Sequence, residues 1–269
     1  MKIGIGTYAL AWSIGVPGFD TPNPMNIYQF MDFVYEQGIS LVQIADNIPL
    51  HQFSYGELEK IKQKASDLQL EVEVGTRGLF PENIRSYLEI TSFLDSPLLR
   101  VVIDTGGFSP TIAEINETVH NLVPELKHRN IKLAIENHDR LKAREFSSIV
   151  EEANSEMVGI CLDSVNSIGA DEGFETVFEI LAPYTINLHL KDYIIRRKPH
   201  MMGFDIYGAP AGQGMMPLDK VIKTLKELGN TRSIILELWP PPEASVQKTI
   251  EKEKKWVIES LDFLKALTL

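Results

Sequence analysis

Four short apolar runs each hold, at or near their end, a side chain able to bind a cation or move a proton. They are Glu136 in IKLAIENHDR (131–140), Asp163 in MVGICLDSVN (157–166), His189 in TINLHLKDY (185–193) and Glu237 in SIILELW (233–239). Ionisable side chains are rare inside β-branched apolar runs unless something pairs with them. Four in succession point to one shared site. Three carboxylates and an imidazole form a mostly hard, oxygen-rich donor set. That set suits Mn2+, Mg2+ or Co2+, with Zn2+ as an alternative, and is unlike the thiolate and imidazole cage of a structural zinc. Open coordination positions on such an ion would chelate adjacent oxygens of a polyol or ketose. Taken singly, each residue has a plainer role: a strand-end Glu can cap a helix or pair with a lysine, and His189, between Leu188 and Leu190, can be a satisfied core histidine. Gathered on one rim, three unpaired carboxylates repel one another, and a bound cation removes that repulsion.

The elements that must position these residues follow an alternating pattern. Strand-like runs fall at Lys2–Thr7, Leu41–Ala45, Leu70–Thr76, Leu99–Asp104, Ile131–Glu136, Val158–Leu162, Thr185–Leu190 and Ser233–Leu238. Helical patterns separate them: Met25–Gln37, one capped by Ser54 with Glu57 three residues on, one from Pro81 to Leu94, one opened by Ser109-Pro110 and running to Arg129, Arg144–Ala153, Gly173–Ala182, Pro217–Leu228 and Val246–Leu267. Pro124 is placed to kink the fourth of these. Alternating strands and helices imply a parallel sheet, and near-continuous apolar strands imply burial on both faces. Eight such units over 269 residues predict a (β/α)8 TIM barrel in the α/β class, one domain over 1–269, ahead of an open doubly wound sheet. A dinucleotide fingerprint is poorly supported, because the glycines of GIGTYA lie inside a strand and no helix follows directly. In a barrel of this kind active sites sit at the C-terminal ends of the strands, so Glu136, Asp163, His189 and Glu237 would share half of the mouth. Of Arg77 and Arg100, the strand positions predict that only Arg77 reaches that mouth.

At this point a resemblance is clear. The chain resembles the xylose isomerase-like TIM barrel superfamily, in the sugar phosphate isomerase/epimerase branch grouped with AP endonuclease family 2. The likeness spans nearly the whole chain. It rests on AIENH (134–138), CLD (161–163), LHLKD (188–192), the G-x-G before a helix in AGQGMMPLDKVIKTLKELG (211–229), and ILELW (235–239). The resemblance implies one divalent metal ion, Mn2+ first and Mg2+, Co2+ or Zn2+ as alternatives, held by Glu136, Asp163, His189 and Glu237. The two glutamates would double as the acid–base pair. His138 and Lys191 fall in family motifs near the metal, and with Asn166, Trp12 and Arg196 they form the substrate-binding candidates. Asn166 stands where ketose 3-epimerases of this family often carry a substrate-contacting histidine, which weakens that particular assignment.

The chemistry expected is that of a divalent-metal-dependent sugar isomerase/epimerase, moving a proton beside the carbonyl of a ketose or related polyol through a metal-stabilised enediolate. One alternative is a metal-dependent dehydratase (hydro-lyase) of a keto-inositol or keto-sugar, with Lys191 or His138 protonating the leaving hydroxide. Another is an AP endonuclease-like phosphodiesterase, and a last one a barrel that only binds a ligand. Against DNA stand the formal net charge of −11, the pI near 5.1, and the presence of His51 alone among histidines near the ends of the second to fourth strands. The partners expected are a small carbohydrate, no nucleic acid and no membrane, with homo-oligomers implied by the resemblance. No apolar run approaches the roughly 20 residues a membrane helix needs. Met1-Lys2 leads straight into a strand, and the single cysteine, Cys161, permits a reducing compartment, so a cytoplasmic protein is expected.

Two long loops hold further polar and aromatic groups. Tyr8–Pro24, with Trp12 and Phe19, offers aromatic faces that could stack on a sugar or simply pack the loop. Tyr193–Met216 shows no clear periodicity. Its Arg196, Arg197, Lys198 and His200 read first as a solvated surface, and second as a holder of phosphate or carboxylate.

Overall fold

Strands β1 (Lys2–Gly6), β2 (Leu41–Ile44), β3 (Glu71–Arg77), β4 (Leu98–Val102), β5 (Lys132–Glu136), β6 (Val158–Asp163) and β7 (Thr185–Leu190) are joined by a last barrel strand, β10 (Ser233–Leu236). In the computed structural model, which describes residues 1–268, these eight close into one parallel barrel in the order β1-β10-β7-β6-β5-β4-β3-β2. Barrel strands are covered on both faces, so their apolar runs are continuous, and β2, β4, β6, β7 and β10 are buried along their whole length.

The outer helices are α2 (Ile27–Glu36), α3 (Tyr55–Asp67), α4 (Pro81–Phe93), α5 (Ile112–Arg129), α6 (Ala143–Ala153), α7 (Phe174–Leu181), α8 (Leu218–Leu228) and α9 (Val246–Thr268). The Ser54/Glu57 capping box forms as expected: the Glu57 carboxylate accepts from the Ser54 N–H at 2.7 Å. Helix α5 begins later than Ser109-Pro110 predicted. Thr111 is its cap, paired reciprocally with Glu114, because a threonine oxygen satisfies an orphan N–H that proline cannot.

Two loops are more ordered than their composition implies. Residues 192–209 form an antiparallel hairpin, β8 (Asp192–Arg197) and β9 (Phe204–Ala209), with Ile195 opposite Ile206. Both hairpin faces mix polar and apolar groups, which erases the two-residue alternation that would reveal strands. After β1 the chain makes a 3-10 turn, Thr7–Leu10, and a single helical turn α1, Ala11–Ile14. The buried carboxylate of Glu253, on α9, pins this segment by accepting from the Trp12 N–H at 2.8 Å, the Ser13 N–H at 2.9 Å and the Ser13 hydroxyl at 2.8 Å. Burial raises the Glu253 carboxyl to about 7, against the pull of those donors. A carboxyl raised on folding contributes stability that is complete below its unfolded value, near 4.5, and lost as pH rises through about 7. Thermal denaturation of the wild type and of Glu253→Ala from pH 4.5 to 8 should therefore differ in slope. The wild type should lose roughly 3 kcal/mol across that window that the variant does not. Parallel profiles would refute this. No helix among the described residues is long and apolar enough to cross a membrane.

Candidate active site

The register of the barrel brings the sequence-predicted quartet together at the C-terminal ends of its strands. Asp163 stands beside His189 across the β6–β7 pair, and Glu136 beside Cys161 across β5–β6. Glu237 lies one residue beyond β10, where its N–H still donates to the Leu190 carbonyl at 3.1 Å. All four side chains are buried. Room for Glu237 comes from Gly6: a Cβ there would lie 2.9 Å from Ile235 Cγ2 and 3.4 Å from Glu237 Cγ.

His189 Nδ1 is 3.2 Å from Glu136 Oε2 and 3.2 Å from Glu237 Oε1. Lys191 Nζ is 2.7 Å from Asp163 Oδ2 and 3.0 Å from Glu237 Oε2. The Asn166 amide donates to Glu136 Oε1 at 2.9 Å, and Lys191 Nζ lies 3.4 Å from Asn166 Oδ1. The other Asp163 oxygen, Oδ1, accepts from the Val165 and Asn166 N–H groups, each at 2.8 Å.

One expectation is corrected here. Arg100 does reach the mouth: its Nε–H pairs with Glu136 Oε2, and Nη1 is 2.9 Å from Asp46 Oδ1. The long side chain climbs inside the barrel from the middle of β4, so the position of its Cα misled. The guanidinium is buried with Glu136, Asp46 being partly exposed, and a buried charge of this kind persists only when paired. Burial alone would raise Glu136, but Arg100 and His189 outweigh it and hold Glu136 well below the usual carboxylate range. Asp46 is likewise lowered, against burial, by Arg100 and Arg77. Lys191 is raised despite its burial by Asp163, Glu237 and Glu136. His189 is raised despite its burial by Glu237 and Glu136.

The donor set fits a divalent cation. Asp163 Oδ2, His189 Nδ1 and Glu237 Oε1 are buried with no aligned hydrogen-bond partner, although the Lys191 ammonium lies close to Asp163 off that alignment. These three residues offer ligand atoms that lie within 4.8 Å of one another. Buried polar atoms almost always have aligned hydrogen-bond partners, and a bound ion would satisfy three neighbouring atoms that lack one. Glu136, Cys161 and His189 form a second, overlapping group within the same distance, but burial pushes the Cys161 thiol well up, which disfavours the thiolate a ligand needs.

The remaining candidates fall at different places. His138 follows β5 and pairs outside the quartet: its Nε2 accepts from Arg77 Nη2 at 3.2 Å, and its Nδ1 is 2.9 Å from Asp139. Arg77 in turn reaches Asp46 at 3.4 Å, and Asp46 accepts from the Tyr8 hydroxyl at 3.1 Å. Trp12 and Arg196 make no hydrogen bond or ion pair with the quartet. Trp12 Nε1–H donates to the Pro240 carbonyl, and its ring meets Phe19 edge-on at 4.8 Å. Arg196 lies on the exposed hairpin in a cleft with Trp256 and Lys252. The aspartate of LHLKD has a structural duty. Asp192 accepts from the N–H groups of Gly212, Gly214 and Met216 at 2.9–3.0 Å, which folds the G-x-G loop onto the hairpin base.

The residues missed in the sequence, Arg100, Asp46 and Gln43, carried the same signal as the quartet. Arg100 and Gln43 are polar groups inside apolar strands, and Asp46 follows one.

Known proteins match this chain along most of its length. The family model described as "Xylose isomerase-like TIM barrel" matches residues 32–267. A 3-oxo-isoapionate decarboxylase of Pectobacterium atrosepticum is 32% identical over 264 residues, covering 98% of this chain and 95% of its own. Among solved structures, D-psicose 3-epimerase from Clostridium cellulolyticum H10 superposes with a TM-score of 0.72 at 16% identity, covering 99% of each chain. A xylose isomerase-like protein from Mycobacterium smegmatis, solved in complex with magnesium, gives 0.68 at 15% identity and covers 97% of this chain and 96% of its own. At these identities the two structures speak for the fold alone, whereas the family model spans most of the sequence. The chain belongs to the xylose isomerase-like TIM barrel family.

Proposed function

We propose that this protein is a divalent-metal-dependent enzyme that removes CO2 from a 3-oxo sugar acid, generating an enolate that is then reprotonated. The observation that carries this reading is the state of Glu136. An epimerase needs two acid–base groups free on opposite faces of the substrate. Here Glu136 is clamped on both carboxylate oxygens, Oε2 by Arg100 and Oε1 by Asn166, which leaves neither free to take a proton from carbon. Decarboxylation needs no base at carbon. It needs an electron sink and one proton donor. The relationship to a 3-oxo-isoapionate decarboxylase, over almost the full length of both chains, supports the same reaction class.

Asp163, His189 and Glu237, with Glu136 beside them, would hold a divalent cation, which would supply Lewis-acid polarisation of the substrate carbonyl. The chain's own groups account for the rest. Breaking the C1–C2 bond of a 3-oxo acid releases CO2 and leaves the electron pair in the C2–C3 enolate. Lys191, at the rim and 14% exposed, is placed to return a proton to C2. The Asn166 amide orients a substrate hydroxyl. Charge balance favours an acid as substrate: Asp46, Glu136, Asp163 and Glu237 face Arg77, Arg100 and Lys191, leaving one net negative charge. With a divalent ion bound the balance would become one net positive charge, which a monocarboxylate would neutralise and a neutral ketose would not.

Isomerisation is the second reading, favoured by the equal placement of Glu136 and Glu237 about His189 Nδ1. One experiment separates the two. The protein is incubated in heavy water with Mn2+ or Mg2+, against a panel of 3-oxo sugar acids, ketoses and keto-inositols. Release of CO2 with one deuterium at the former α-carbon is the expected result. Deuterium beside the carbonyl of a ketose without CO2 would establish an isomerase, and loss of water a dehydratase.

A further inference from the structure

Below the quartet, the barrel interior holds a second polar layer. Gln43, Glu73, Asn187 and Ser233 are all fully buried there. The two-residue period of the strands places Asn187 directly under His189. Barrels of this fold fill their interior with branched apolar side chains, and burying these polar groups is costly unless each is satisfied. Each is satisfied, and the bonds run in one direction.

Glu73 Oε2 accepts from Gln43 Nε2 at 3.0 Å and from Asn187 Nδ2 at 3.2 Å, while Glu73 Oε1 accepts from the Ser233 hydroxyl at 2.7 Å. Gln43 Nε2 also donates to Asn187 Oδ1 at 3.2 Å. With its NH2 committed to these acceptors, Gln43 turns its carbonyl Oε1 to His189 Nε2 at 2.6 Å. A carbonyl oxygen only accepts, so Nε2 must carry the ring proton. In a neutral imidazole the lone pair then lies on Nδ1, the atom facing Glu136 and Glu237. A reversed Gln43 amide would put a donor against Nε2, drive the proton to Nδ1 and close that position to a metal.

We propose that Glu73, acting through the Gln43 amide, is a positioning residue that fixes the tautomer of His189 and so presents Nδ1 to a divalent cation. A partner on the non-ligating nitrogen is a general feature of metal-bound histidines. Here that partner is a neutral amide whose orientation is set by a carboxylate from β3, on the far side of the barrel interior. Burial raises the Glu73 carboxyl, yet a proton carried on Oε1 would leave Oε2 an acceptor, so the direction of the chain is the same in either state.

The test measures binding, not turnover. Mn2+ is titrated into the wild type, Glu73→Leu, Glu73→Gln and Gln43→Leu by calorimetry, with circular dichroism confirming the fold. Nitrogen-15 histidine spectra of the Zn2+-loaded wild type identify the metal-bound ring atom. Glu73→Leu and Gln43→Leu should raise the Mn2+ dissociation constant by about 10–100-fold. Glu73→Gln, which keeps a carbonyl opposite Gln43 and can turn its NH2 toward Ser233, should retain near wild-type affinity. The Zn2+ form should show Nδ1 bound and Nε2 protonated. If Glu73→Leu does not fold, Gln43→Leu carries the test. Wild-type affinity in the folded leucine variants would overturn the proposal, as would equal loss in Glu73→Gln and Glu73→Leu, or Nε2 as the bound nitrogen. Those results leave the metal-dependent function standing, whereas a wild type that binds neither ion overturns both.

Discussion

Lys191→Met is expected to lower the rate of CO2 release by about 10²–10⁴-fold, the usual contribution of a positioned proton donor, while divalent metal binding is kept or tightened. The two directions follow from one geometry. Lys191 Nζ sits 2.7 Å from Asp163 Oδ2 and 3.0 Å from Glu237 Oε2, so its positive charge competes with any cation for the same carboxylates. Methionine preserves most of the aliphatic stem and its packing but brings neither charge nor proton. Turnover measured at saturating Mn2+, together with the dissociation constant for Mn2+, separates the outcomes. A variant that loses activity only because it loses metal would assign Lys191 to holding the site together. Turnover within a few-fold of wild type would remove it from the chemistry.

The second large effect concerns stability. Arg100→Met should destabilise the fold by about 3–5 kcal/mol, the usual result of removing one partner from a buried ionic cluster. At about 2–4 °C per kcal/mol for chains of 150–250 residues, the fall in Tm is of order 10 °C. Glu136, buried, and Asp46, partly buried, would be left without the guanidinium that helps to hold both below their ordinary values. The pH dependence gives the cause away. In the wild type these depressed carboxylates contribute stability that is present above their unfolded values and lost as pH falls through the lower folded ones. In the variant the opposing push of burial is less fully countered, so the two carboxylates take up protons at a higher pH and mild acid relieves part of the cost. The Tm gap between the two proteins should therefore narrow from pH 7.5 to pH 5. A gap that stays constant would mean that Arg100 acts by filling space rather than by charge.

Much of this molecule was legible in its sequence because barrel strands obey a strict code. A strand buried on both faces is an apolar run, and a polar residue inside such a run has to be answered by something. Glu136, Asp163, His189 and Glu237 stood out on that ground, and the barrel unites them. The hairpin at 192–209 escaped because it lies outside the barrel and alternates weakly. The helical turn at Ala11–Ile14 escaped because it is held by Glu253, a residue 241 positions from Trp12.

The site's electrostatics were not legible. Sequence position put the α-carbon of Arg100 at the end of its strand away from the mouth and predicted that it would miss it. Only the folded side chain shows the guanidinium lying between Asp46 and Glu136. Gln43 and Glu73 are polar residues in apolar strands as the quartet is, but only the folded barrel shows that they meet beneath His189. The sequence by itself determined the barrel and the ionisable residues gathered at its rim, since both follow from local periodicity and the cost of burying charge. The tertiary structure alone decided which carboxylate is clamped, where the lysine proton points and which imidazole nitrogen is left open, because these depend on distances of about 3 Å between strands far apart in the chain, where charge and hydrogen-bond direction act.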